Sequence, residues 1–254
     1  MSKHYILSID SGNTFIKWGL HDCFDWIIQD QVNQEHSANL VEHWQNLPKP
    51  TFIIGSNVAG IGVQKELSIL CSMWKLKPHW VSAVSQQCGV RNLYLDPGQL
   101  GSDRWAALIA AWNHLLQATL VVNIGTAMTV DALSASGDFL GGLILPGPGL
   151  MFNALKINTA IPCKQLGNFE QFPVTTADAI YSGVIQSLVG SIERMDNSLS
   201  THLGYSVQHC ILSGGASSLV LPHLGIPAKV VDNLVLEGLH LMANDFLSRQ
   251  GLLL

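Results

Sequence analysis

A short phrase occurs twice in this chain, about half a chain apart, and each time an apolar run breaks into a turn. The first copy is Ile9-Asp10-Ser11-Gly12-Asn13-Thr14, followed by Lys17; the second is Val122-Asn123-Ile124-Gly125-Thr126-Ala127, followed by Thr129 and Asp131. In both, a carboxylate or its amide stands two residues before a glycine, and hydroxyl or amide side chains accompany the turn. Glycine lets the chain bend sharply and bring backbone N–H groups close to an anion. A pair of such turns predicts two similar lobes that clamp a polyphosphate. Either turn alone has a plainer reading, a hairpin bend whose Asp and Asn stabilise only the bend. The repetition favours phosphate.

Around the two turns, strands and helices alternate. Apolar runs predict strands over residues 4–9, 15–20, 26–31, 51–55, 79–82, 120–123, 127–133, 139–144 and 209–212. Helical spacing predicts helices over 36–47, 62–75, 104–117, 176–195 and 234–247, with a rigid Pro-Gly-Pro-Gly turn at 146–149. That is an α/β architecture, divided into lobes 1–117 and 118–254. The 48% of hydrophobic residues against 12% charged excludes a disordered chain, and so few charges suggest a face covered by a second subunit. A net charge of −5 gives no general attraction to nucleic acid or membrane surfaces. No apolar run reaches the ~20 residues of a membrane span. The five cysteines, Cys23, Cys71, Cys88, Cys163 and Cys210, are scattered and never in a CxxC pair, which reads as reduced thiols in a cytoplasmic protein.

Three groups of residues carry the chemistry. In the first turn, Asp10 ends a strand and suits a hydrated Mg²⁺, Gly12, Asn13 and Thr14 offer donors to phosphate oxygens, and Lys17 adds a point charge. The second turn offers Gly125, Thr126 and Thr129, with Asn123 and Asp131 beside them, and Gly214-Gly215 follows a strand as either a plain turn or a place for backbone to approach a flat ligand. The third group is the segment from Asn92 to Arg104, which ends in Asp103 and Arg104 at the clearest helix. An Asp there is either a cap or an acceptor for a substrate hydroxyl proton, and Arg104 is a grip for a carboxylate or phosphate. The histidines show no metal-ligand spacing.

Together these blocks resemble the acetate and sugar kinase, Hsp70 and actin superfamily, and more narrowly the type III pantothenate kinases. The resemblance rests on Asp10 to Lys17, on Tyr94, Pro97 and Leu100-Gly-Ser-Asp-Arg104, and on Gly125-Thr-Ala with Thr129 and Asp131. Gly141-Gly142, Pro146-Gly147 and the helix beginning at Thr176 support it, and the order holds from residue 4 to about 216. It implies two actin-like (ribonuclease H-like) lobes, mixed sheets flanked by helices, with an ATP cleft between them. It implies that Asp10, Ser11, Gly12, Asn13, Thr14, Phe15, Ile16 and Lys17 form the first phosphate loop and that Thr126 contacts ATP from the second. Tyr94, Gly101, Ser102, Asp103, Arg104 and Thr176 then line a pantothenate site, with Asp103 as proton acceptor. A homodimer is implied too, as is a monovalent cation, K⁺ or NH₄⁺, at an aspartate. This chain has Asn123 there, which predicts weak cation dependence. The rival readings are another small-molecule kinase of the superfamily and a non-enzymatic nucleotide-binding regulatory protein.

Overall fold

The first repeated phrase closes a hairpin. Strand β1 (Ile6–Ser11) pairs antiparallel with β2 (Phe15–His21), and Asp10 stands opposite Lys17. The computed structural model describes residues 4–159 and 167–251, so Cys163 lies outside the described residues. The chain separates into two units: the chain up to His114 together with the segment from Asn233, and Leu115–Asp232.

In the first unit, β3 (Trp26–Asn33) continues the hairpin antiparallel to β2, while β4 (Phe52–Asn57) runs parallel to β1 on its other side. The short β5 (His79–Trp80) runs parallel to β4, so the order is β3-β2-β1-β4-β5. Helices α1 (Leu40–Trp44) and α2 (Ile61–Cys71) supply Trp44, Leu67 and Cys71 to a core shared with Leu7, Ile9, Ile16, Trp18 and Leu20. Strands β6 (Gln86–Gln87) and β7 (Val90–Asn92) form a small hairpin ahead of α3 (Ser102–Leu115).

The second unit repeats this plan. Strands β8 (Thr119–Ile124) and β9 (Ala127–Leu133) form the hairpin, and β10 (Asp138–Pro146) extends it. After α4 (Pro148–Asn158) and α5 (Thr176–Leu203), β11 (Cys210–Ser213) returns parallel to β8. A short α6 (Ser217–Val220) leads to β12 (Lys229–Val230), parallel to β11. The five strands read β10-β9-β8-β11-β12, the same winding as in the first unit. Burial repeats as well. In β1 and β8 only the fifth residue, Asp10 or Asn123, is partly exposed; in β2 and β9 the third, Lys17 or Thr129, is the partly exposed one.

Several elements depart from the sequence expectation. The helix over 36–47 is a 3₁₀ turn, Gln34–Asn39, followed by α1, because His36 leaves helical geometry. The rigid turn at 146–149 is instead the start of α4: Pro148 sits in its first turn, where a missing N–H costs nothing. Helix α5 runs past residue 195 to a left-handed Gly204. Strand β4 is longer than 51–55 and takes in Ser56. The C-terminal helix α7 (Leu234–Arg249), expected in the second lobe, packs on β1, β2 and β4 of the first unit. Its Gly238 lies so near α3 that an added Cβ would stand 1.9 Å from the Ala106 carbonyl oxygen. Among the described residues Cys23, Cys71, Cys88 and Cys210 are free thiols, and no helix is long and apolar enough to cross a membrane.

Candidate active site

Register gathers the polar groups of the first unit. Gln31, Lys17, Asp10 and Ser56 stand opposite one another on β3, β2, β1 and β4. Residues directly opposite in a sheet share a face, so the four form one row at the carboxyl end of β1. Beside the row lies the N-terminus of α3, which carries Ser102, Asp103 and Arg104 in its first turn. The link between sheet and helix is a buried hydrogen bond of 2.8 Å between the hydroxyls of Ser56 and Ser102.

Two carboxylates face this corner. Burial, then the charge of Asp103, raises the pKa of Asp10 from 3.8 to about 7 against the opposing pull of Lys17. Burial also raises Asp103, held back by its hydrogen bond from the Arg104 N–H (2.8 Å) and by the Arg104 charge. Gly101 makes room for this carboxylate: a Cβ there would stand 2.6 Å from Asp103 Oδ1. Arg104 is buried, 6% exposed as a residue, and its guanidinium donates to the Tyr94 hydroxyl at 3.1 Å. Tyr94 is held in turn by its own N–H on Asn92 Oδ1, and Asn92 donates to the Pro97 carbonyl.

Within the first turn the eight residues divide by face. Ser11 and Ile16 are fully buried, on the opposite side of the sheet from Asp10 and Lys17, so their side chains face the core. The Gly12 N–H donates to the Phe15 carbonyl and closes the turn. Asn13, Thr14 and Phe15 are exposed at its tip.

The second turn is tighter by one residue, with the Gly125 N–H donating to the Ala127 carbonyl. Two glycines press against it. A Cβ at Gly147 would stand 2.1 Å from the Gly125 carbonyl oxygen, and the Gly147 N–H donates to the Thr126 carbonyl. At Gly214 (φ +95°) a Cβ would stand 2.4 Å from the Ile124 carbonyl oxygen and 2.6 Å from Asn123 Oδ1. Thr126 is exposed at the tip. Asn123 stands opposite Thr129 and Ser213, as Asp10 stands opposite Lys17 and Ser56. The second unit thus repeats the polar row with neither of its charges. Thr176, also in this unit, is exposed at the start of α5 and borders a groove of about 830 Å³ whose walls include Leu150, Met151 and Ile180.

So Asp10, Lys17, Tyr94, Gly101, Ser102, Asp103 and Arg104 come from the first unit, and Thr126, Asn123 and Thr176 from the second. The sequence reading overlooked Ser56 and the contact role of Gly147. A signal for Ser56 existed: both halves end a buried run with serine, at Ile54-Gly55-Ser56 and Ile211-Leu212-Ser213.

The chain is similar to known proteins. The type III pantothenate kinase family model matches residues 6–198. A type III pantothenate kinase of Nitrosospira multiformis is 49% identical over 240 residues, covering 94% of this chain and 91% of its own. Another, of Nitrosomonas eutropha, is 46% identical and covers 95% of each. Among solved structures, the activator of 2-hydroxyisocaproyl-CoA dehydratase from Clostridium difficile, with bound ADPNP, superposes with a TM-score of 0.55. It is 12% identical and covers 97% of this chain and 96% of that one, a likeness of fold alone.

Proposed function

The chain belongs to the type III pantothenate kinase family, and on that premise we propose that it transfers the γ-phosphoryl group of ATP to the primary hydroxyl of pantothenate. The product is 4′-phosphopantothenate, from the first step of coenzyme A biosynthesis. The observation that carries the site assignment is the convergence of Asp10, Lys17 and Ser56 with the first turn of α3. Phosphoryl transfer asks little covalent work of a protein; it needs in-line positioning and compensation of charge on the phosphate oxygens. Lys17 and the exposed donors of the two turns supply that compensation. Asp103 accepts the hydroxyl proton, and burial raises its basicity above that of an ordinary carboxylate. Arg104 pairs with the pantothenate carboxylate, and Tyr94, Gly101 and Ser102 line its site in the first unit.

At Asp10 burial and the neighbouring Asp103 outweigh the pull of Lys17, so its carboxylate lacks full compensation and a cation beside it is favoured. Asp10 would hold a Mg²⁺ carried by ATP, which supplies further charge compensation on the phosphates. The position of the monovalent cation fits less well. Asn123 is a neutral amide, so its oxygen offers a dipole and no charge, and adding K⁺ or NH₄⁺ is expected to raise turnover only weakly. A steep activation would contradict this. A homodimer in the cytoplasm completes the proposal; Ile144 and Leu150, exposed on the second unit, support a covered face.

A coupled assay of ADP release, with and without pantothenate, tests the activity. Asp103→Asn is expected to lower kcat about 10²–10⁴-fold. Undiminished turnover in that variant would remove Asp103 from the role of base.

A further inference from the structure

The hydrogen bond between Ser56 and Ser102 ties the phosphate-side strands directly to the helix that presents the base. Ser56 is fully buried and Ser102 is 8% exposed, so neither hydroxyl has water as an alternative partner. Ser56 stands opposite Asp10 in the parallel register of β4 on β1. Ser102 precedes Asp103, and both lie in the opening turn of α3. Asp103 accepts from the Arg104 N–H, and Gly101 leaves its carboxylate the space a Cβ would need, but both contacts lie within the turn and neither ties it to the sheet. A turn that shifts as a body can carry the carboxylate an ångström away from a substrate hydroxyl.

We propose that Ser56 is a positioning residue for phosphoryl transfer, its hydroxyl acting through Ser102 to hold Asp103 at a set place beside Asp10. The inference rests on the reading of Asp103 as the base. Ser102, on this view, spends its hydroxyl inward, and what it offers a ligand is backbone. The groups that face the corner are Asp10 and Lys17 from the sheet, Asp103 and Arg104 from α3, and Tyr94 from the segment ahead of it.

The test is steady-state kinetics of Ser56→Ala, Ser102→Ala and the double variant, each checked for a native thermal transition. Ser56→Ala is expected to lose about 10- to 100-fold in kcat, with KM for ATP and for pantothenate little changed. The double variant is expected to lose no more than the worse single, since both changes break one bond. Ser8→Ala is the control. Ser8 is another fully buried serine of β1, two residues before Asp10, whose hydroxyl makes no hydrogen bond; its kcat is expected to stay within about two-fold of the parent. A folded Ser56→Ala with unchanged kcat overturns the proposal, as do losses that multiply in the double variant. If Ser56→Ala does not fold, Ser102→Ala decides from the other end of the bond. Asp103→Asn, run alongside, separates the two readings. An active Asp103→Asn overturns the base assignment itself, whereas an inactive one beside a fully active Ser56→Ala overturns only the role of Ser56.

Discussion

Asp10 carries a charge that its surroundings oppose in the ligand-free protein. Burial and the neighbouring Asp103 raise its pKa to about 7, so the folded chain holds this proton far more tightly than the unfolded chain, where 3.8 is the ordinary value. The sign follows from linkage. The folded state gains nothing from the group below about pH 4, loses stability as pH rises toward 7, and bears the full penalty above that. Asp10→Asn removes the charge and is therefore expected to melt at a higher temperature than the parent at about pH 8, with the gap closing toward about pH 4. At about 1.4 kcal/mol per unit the gain is capped near 4 kcal/mol, and solvent around this partly exposed residue lowers it. The same variant is expected to lose kinase activity. Thermal unfolding across pH, paired with the ADP-release assay, checks both halves; a variant less stable than the parent at about pH 8 contradicts the account. On the proposed role of Asp10, stability and function conflict at one residue, as a binding site for charged ligands requires.

At the scale of elements, helix α7 decides how the first unit is built. Its apolar spacing is readable, but the surface it covers is not, because that depends on a contact between residues more than a hundred positions apart. Gly238 meets the backbone of α3 at Ala106, and His114 near the end of α3 bonds Glu237. Close approach of two helices leaves no room for even one methyl group. Gly238→Ala is thus expected to cost about 1–3 kcal/mol in urea or thermal unfolding, despite the better helix propensity of alanine. A variant as stable as the parent would mean that α7 does not rest on α3 there. A similar argument applies to Gly147 against the Gly125 carbonyl, where the glycine is needed for space and not for a positive φ.

At the scale of the whole molecule, the two units share one plan: five strands in the same order, hairpins with matching burial, and a polar row that is charged in one copy and neutral in the other. Much of this is legible in the sequence alone. The duplicated turn, the alternation of strands and helices, and Asp103 at the head of α3 are local patterns, and local patterns follow from side-chain periodicity and from the backbone freedom of glycine. Ser56 could not be singled out that way, since one more serine at a strand end means nothing until β4 is laid beside β1 and α3 is set against both. Nor could the chain order assign α7 to the first unit, or show that the hydroxyl of Ser102 turns inward and that Ser11 faces the core. Those outcomes depend on which distant surfaces exclude water together, a property of the assembled chain that no window of neighbouring residues contains.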